Sequence, residues 1–193
     1  MKFTVAHASL PKIGYTANGD AVFVRQEGSR LLLVVIDALG HGPAAAAVST
    51  DAIVALRAVP QSAGLDNVVE RVHAQLRGGR GAAALFLLVD EAPDKTASFE
   101  ACSVGNVEAR GRPHKLPLIL TPGVLGLRLR SPRIIRGTFA GATRIVAYTD
   151  GISGRIDIPS VDGVAPALAS STLLQRHRRE HDDATVAVAD IEP

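Results

Sequence analysis

Apolar positions along the chain change period repeatedly, and each period predicts an element. Residues 2–8 alternate weakly and residues 21–26 follow an Asn18-Gly19-Asp20 turn, so both segments read as strands. Residues 31–36, LLLVVI, form a continuous aliphatic run, the mark of a strand buried on both faces. The run stops at Asp37-Ala38-Leu39-Gly40-His41-Gly42-Pro43. Pro43 suits the first turn of a helix, where its missing N–H has no intrahelical partner to find. Val48, Ala52, Ala55, Leu56 and Val59 then recur at helical spacing. A second helix follows Gly64, with Val68, Val69, Val72 and Leu76 on one face.

After Arg77-Gly78-Gly79-Arg80-Gly81, residues 82–89, 96–104 and 107–110 read as a meander of strands separated by Pro93-Asp94 and Gly105-Asn106. Residues 116–133, broken by Pro and Gly, predict an irregular excursion. Residues 134–138 and 144–149 predict the next strand pair, ended by Asp150-Gly151. A loop over 155–163, a helix over 165–177 and an alternating strand over 184–189 complete the pattern. Strands that outnumber helices, with two helices in the middle and one near the end, predict an α+β fold with helices packed outside sheets. With no linker, no repeat and no low-complexity tract beyond the alanines at 44–47, residues 1–193 are expected to form one domain.

Composition sharpens this picture in three ways. A 47% hydrophobic share with 21% charged residues belongs to a globular chain, and 4% aromatic residues without Trp leave the core to Val, Leu, Ile and Ala. The basic pI of 9.0 rests mainly on arginine, yet the formal net charge is only +2, which excludes a polybasic nucleic-acid binder. The single cysteine, Cys102, excludes an internal disulfide or thiolate zinc cluster. No apolar stretch approaches the roughly 20 residues of a membrane span and no apolar leader opens the chain, so a reducing, cytoplasmic location away from membranes is expected.

Candidate chemistry lies in the placement of carboxylates. Asp20, Asp37, Asp150 and Asp182 each fall at a predicted strand end. One such Asp is an ordinary turn residue. Four carboxylates converging at a rim would repel one another unless a cation neutralised them, and hard oxygen donors without Cys or paired His suit Mg²⁺ or Mn²⁺, not zinc. Spacing alone leaves their convergence open.

The residues around these aspartates resemble a family. Asp37-Ala38-Leu39-Gly40-His41-Gly42 is similar to the Asp-x-x-Gly-His-Gly element of the SpoIIE-like branch of metal-dependent PPM (type-2C) serine/threonine phosphatases. Asn18-Gly19-Asp20, Ser103-Val104-Gly105-Asn106-Val107, Thr149-Asp150-Gly151 and Asp182-Asp183-Ala184-Thr185 resemble further elements in family order. The small stand-alone phosphatases of stressosome signalling are the most similar. The resemblance implies two packed antiparallel β-sheets flanked by helices, an αββα sandwich. It also implies two Mn²⁺ or Mg²⁺ ions bridged by Asp37, with the carbonyl of Ala38 on the first ion, Asp150 and Asp182 on the second, and Asp20 acting through a water. The implied activity is hydrolysis of phosphoserine or phosphothreonine by an activated water, and the implied partner is a phosphorylated STAS-domain protein. Ala38 stands where many relatives have Gly, and Asn106 where bacterial relatives carry an Asp able to hold a third ion.

Several residues have two readings. His41 is a candidate general acid, or the cap of the helix that follows. His177 and His181, four apart, read as a solvated helix end, as do Arg176, Arg178 and Arg179 unless they steer an acidic phosphoprotein toward the site. The single Arg-Gly-Gly stretch at 77–79 lacks aromatics and reads as a turn before it reads as an RNA contact. At the level of function, the rival to an enzyme is a catalytically dead phosphatase fold that only docks phosphorylated STAS proteins, and retention of all four aspartates favours the enzyme.

Overall fold

A computed structural model of the chain describes residues 1–92, 94, 96–129 and 131–192. Pro93 of the expected Pro93-Asp94 turn lies outside them, as does Arg130 of the irregular excursion. Strands β1 (Lys2–Leu10), β2 (Asp20–Glu27) and β3 (Arg30–Ala38) lead into helices α1 (Pro43–Ala58) and α2 (Leu65–Gln75). Next come β4 (Ala82–Glu91), β5 (Ala97–Val104), β6 (Glu108–Arg112), the two-residue β7 (Leu120–Thr121), β8 (Ile135–Phe139) and β9 (Thr143–Tyr148). A 3-10 turn (Ile158–Val161), helix α3 (Pro166–His177) and β10 (Ala184–Glu192) close the chain.

The strands form two sheets, one ordered β1-β10-β9-β6 and the other β2-β3-β4-β5-β7, with β8 also on β5. All pairs are antiparallel except the short β5–β7 contact. Two expectations change here. The meander stops at β5, because β6 crosses to the other sheet and pairs with β9. The expected pairing of residues 134–138 with 144–149 does not form: β8 joins β5, and β9 sits between β10 and β6. Period alone cannot choose a partner, since a strand with one apolar face fits either sheet.

Period two divides the apolar residues between three cores. On β3, Leu32, Val34 and Ile36 face α1 and α2, where they meet Ala52, Leu56, Val68 and Val72. Leu31, Leu33 and Val35 point the other way and meet Ile145, Ala147, Ala187 and Ala189 between the sheets. Beneath α3, Val146, Tyr148, Val186 and Val188 pack on Leu173 and Leu174. The layers therefore run helix, sheet, sheet, helix, and β3 is buried on both faces as its sequence requires. Small residues (Ala82, Ala84, Ala101, Ala147, Ala187) let the sheets and helices approach closely, and stacked Phe99 and Phe139, 4.4 Å between centroids, fill one end. Among the described residues no helix is long and apolar enough to cross a membrane.

Candidate metal centre

Each candidate aspartate sits at the end of a strand, and the strands end at the same edge. Asp20 opens β2 and lies opposite Asp37, the penultimate residue of β3. Asp150 follows β9 by two residues and Asp182 precedes β10 by two, and β9 and β10 are neighbours in the other sheet. Packing one sheet on the other thus brings two carboxylates from each to a shared rim. Asp37, Asp150 and Asp182 line one cleft of about 300 Å³ together with Lys12, Leu39, Gly40, His41, Asn106 and His181.

Burial and mutual repulsion leave their mark on these acids. Asp37 is pushed up to about 8, first by burial and then by the charges of Asp20, Asp150, Asp182 and Asp183. Asp20 is raised to about 7 by burial, against hydrogen bonds from Thr149 and Thr185; the Thr149 hydroxyl donates to its Oδ2 at 2.7 Å. Asp150 is raised by burial and by Asp182, while Arg179, Asn106 and His181 hold it down; Asn106 Nδ2 donates to its Oδ2 at 2.7 Å. A folded chain that gathers four carboxylates has a site for positive charge.

The donor set fits hard divalent cations. Three carboxylates and the Asn106 amide supply oxygen, beside the His41 and His181 imidazoles and Lys12, and no thiol lines the cleft. Among the described residues no three Asp, Glu, His or Cys side chains close on one point as a ready cage. Instead the carboxylates ring an open cleft, which suits ions that keep several waters and take one or two carboxylates each. Ala38 ends β3, paired with Ala82 in extended backbone, and its N–H donates to the Gly19 carbonyl at 3.3 Å, so Ala in place of Gly carries no left-handed strain here.

Other residues take places that the sequence did not give them. His41 does not cap α1: the N-cap is Gly42, without a side-chain bond, and His41 Nδ1 is buried without a partner beside Tyr15, 4.5 Å between ring centroids. His177 accepts the Asp157 N–H at 3.2 Å at the end of α3, whereas His181 lies past the helix, in the cleft. Arg178 turns inward and donates to the Pro11 carbonyl, while Arg179 stays exposed, its backbone N–H donating to the Gly151 carbonyl and its Nη1 to the Asp150 carbonyl at 3.3 Å. Lys12 in the cleft had no signal in the sequence, because its loop carries no periodicity. The 77–81 stretch is a turn, with Gly78 and Gly81 at φ 83°.

An αββα sandwich with aspartates gathered where its two sheets end together is the fold of the PPM-type protein phosphatases. The chain belongs to the SpoIIE family, because the model of Stage II sporulation protein E matches residues 27–192. Among solved structures it is similar to one from the bacterial stressosome, described as a modular system adapted to control secondary messenger signaling, with 28% identity, TM-score 0.88, and 98% of this chain and 100% of that one covered. It is also similar to RsbX in complex with magnesium, at 23% identity and TM-score 0.79 over 97% of this chain and 94% of that one. The catalytic domain of the serine/threonine phosphatase PstP, in complex with two manganese ions, shares the fold at 16% identity and TM-score 0.68, with 99% of each chain covered. A search of curated proteins found no significant match.

Proposed function

We propose that the chain is a Mn²⁺- or Mg²⁺-dependent phosphatase that removes phosphate from serine or threonine of a phosphorylated STAS-domain protein in a stressosome-like complex. The observation that carries the catalytic part is the convergence of Asp37, Asp150 and Asp182 on one cleft, with Asp20 buried directly opposite Asp37 behind it. Similarity to a stressosome structure and to RsbX supports the choice of partner.

Asp37, the Ala38 carbonyl, Asp150 and Asp182 would hold the two ions, with Asp20 supporting them from beside Asp37. When bound, such ions supply an activated water for in-line attack on phosphorus and neutralise the phosphoryl oxygens. The chain's own residues prepare that chemistry. Thr149 fixes one oxygen of Asp20, and Asn106 fixes one oxygen of Asp150, so both carboxylates are oriented before anything binds. Asn106 is thereby a partner of Asp150 through its amide nitrogen. His41, an imidazole at the cleft wall, is the general acid in this reading and would protonate the departing seryl or threonyl oxygen. A module that only docked its partner would have no use for a costly cluster of like charges at this rim.

Metal removal tests the reading. Stripped protein should not hydrolyse p-nitrophenyl phosphate, and Mn²⁺ should restore turnover. Undiminished activity in protein shown by elemental analysis to be metal-free would overturn it.

A further inference from the structure

Asp183 is the buried half of the Asp182-Asp183 pair, only 3% exposed, and its backbone turns it away from the cleft that Asp182 lines. No Lys or Arg pairs with it among the described residues. Its two oxygens are instead each taken by a backbone N–H of the loop between β1 and β2. Lys12 N donates to Oδ1 at 2.7 Å and Gly19 N to Oδ2 at 2.8 Å. These donors stand at the two ends of the loop, so one carboxylate closes it like a buckle.

What the loop carries makes the buckle matter. Lys12 reaches the cleft, and Tyr15 lies against His41. The Gly19 carbonyl accepts the N–H of Ala38 and the hydroxyl of Ser49, so Gly19 joins Asp183 to the backbone that ends at the proposed carbonyl ligand. Asp20 follows at once, its N–H bound to Asn18 Oδ1 at 2.8 Å. Space is as tight as the bonding: a Cβ on Gly19 would lie 2.7 Å from Ala45 Cβ and 2.9 Å from Asp183 Oδ2.

We propose that Asp183 is a positioning residue, which fastens the 11–19 loop to the foot of β10 and thereby sets Lys12, the Tyr15–His41 pair, Asp20 and the Ala38 backbone around the cleft. The proposal rests on the phosphatase reading for its effect on turnover, but not for its effect on the loop.

Two variants break the buckle by different means. Asp183→Asn keeps the shape but offers a single acceptor oxygen, so one N–H loses its partner. Gly19→Ala leaves the charge untouched and pushes the loop off Asp183. In both, amide exchange at Lys12 and Gly19 should quicken by about tenfold or more, and the nuclear Overhauser contact between the Tyr15 and His41 rings should vanish. With Mn²⁺ present, kcat/KM for p-nitrophenyl phosphate should fall by about tenfold in both, since catalytic groups displaced by even 1 Å lose rate steeply. Unchanged protection at both amides would overturn the proposal. So would a loosened loop with kcat/KM within twofold of the parent. Loss of activity in Asp183→Asn alone, with Gly19→Ala like the parent, would also overturn it, because the charge and not the loop would then matter. If the parent protein lacked phosphatase activity, the function would fail while amide exchange and the ring contact still decided the latch.

Discussion

Asp37 concentrates the physics of the site in one residue. Burial and four neighbouring aspartates push its carboxyl up to about 8, so the folded metal-free protein holds a proton there that the unfolded chain has lost above about pH 4. The folded state therefore binds more protons across that window, and stability of the metal-free protein should fall as pH rises from about 4 to 8. A cation that replaces the proton reverses the penalty. Mn²⁺ should raise the thermal midpoint more at pH 8 than at pH 6, and an equal rise at both would contradict this account. In Asp37→Asn the neutral amide should flatten the pH slope and remove most of the Mn²⁺ response. The same change should lower turnover by about a thousandfold, roughly 4 kcal/mol of transition-state stabilisation. Turnover within tenfold of the parent would mark Asp37 as a turn residue only. Cys102, by contrast, is fully buried in β5 and its thiol is raised to about 11 by burial, which leaves it inert.

Between elements, one side chain does the work of a short linker. Arg144 of β9 grips both oxygens of Asp190 on β10, through Nε at 2.6 Å and Nη2 at 2.7 Å. Its Nη1 and Nη2 also donate to the carbonyls of Val161 and Val164, which ties the 3-10 turn to the sheet. Only a planar guanidinium can satisfy four acceptors in this arrangement. Arg144→Met would strand a partly buried carboxylate and two carbonyls, and should cost about 3 kcal/mol in urea unfolding. Arg144→Lys should recover only part of that loss; full recovery would show that charge alone suffices.

Across the whole molecule, the question is which basic residues remain to meet a phosphoprotein. Arg110, Arg112 and Arg136 are ion-paired with Glu108, Asp162 and Glu100, and Arg178 and Arg179 serve backbone carbonyls near the site. These arginines are engaged within the molecule. Arg80 is different: it is exposed, and its Nη1 would lie 3.1 Å from a Cβ on Gly40, which puts the guanidinium at the cleft's edge. Arg80→Ala should therefore raise KM for a phosphorylated STAS protein several-fold, with a weaker effect at high salt, while Arg112→Ala and Arg136→Ala should not. The measurement is kcat/KM for the intact phosphoprotein against a short peptide around its phosphosite. Equal effects of all three substitutions would point to diffuse steering instead of a defined contact.

Local pattern carried much of this fold. The doubly buried LLLVVI strand, the helix opened by Pro43, the helix after Gly64 and the final strand were all legible, because burial on one or two faces imposes a period that survives without knowledge of partners. The aspartates were legible for a related reason: a carboxylate beside an apolar run is conspicuous, and the surrounding Gly-His-Gly and Asp-Gly turns resemble a family. Partner choice was not legible. That β6 leaves the meander, that β8 and β9 part to different sheets, and that Lys12, His181 and Asp183 converge from far along the chain depend on contacts between segments with no shared local signal. Tertiary packing alone decided them, since two sheets must first stack before their ends can bring four like charges to one rim.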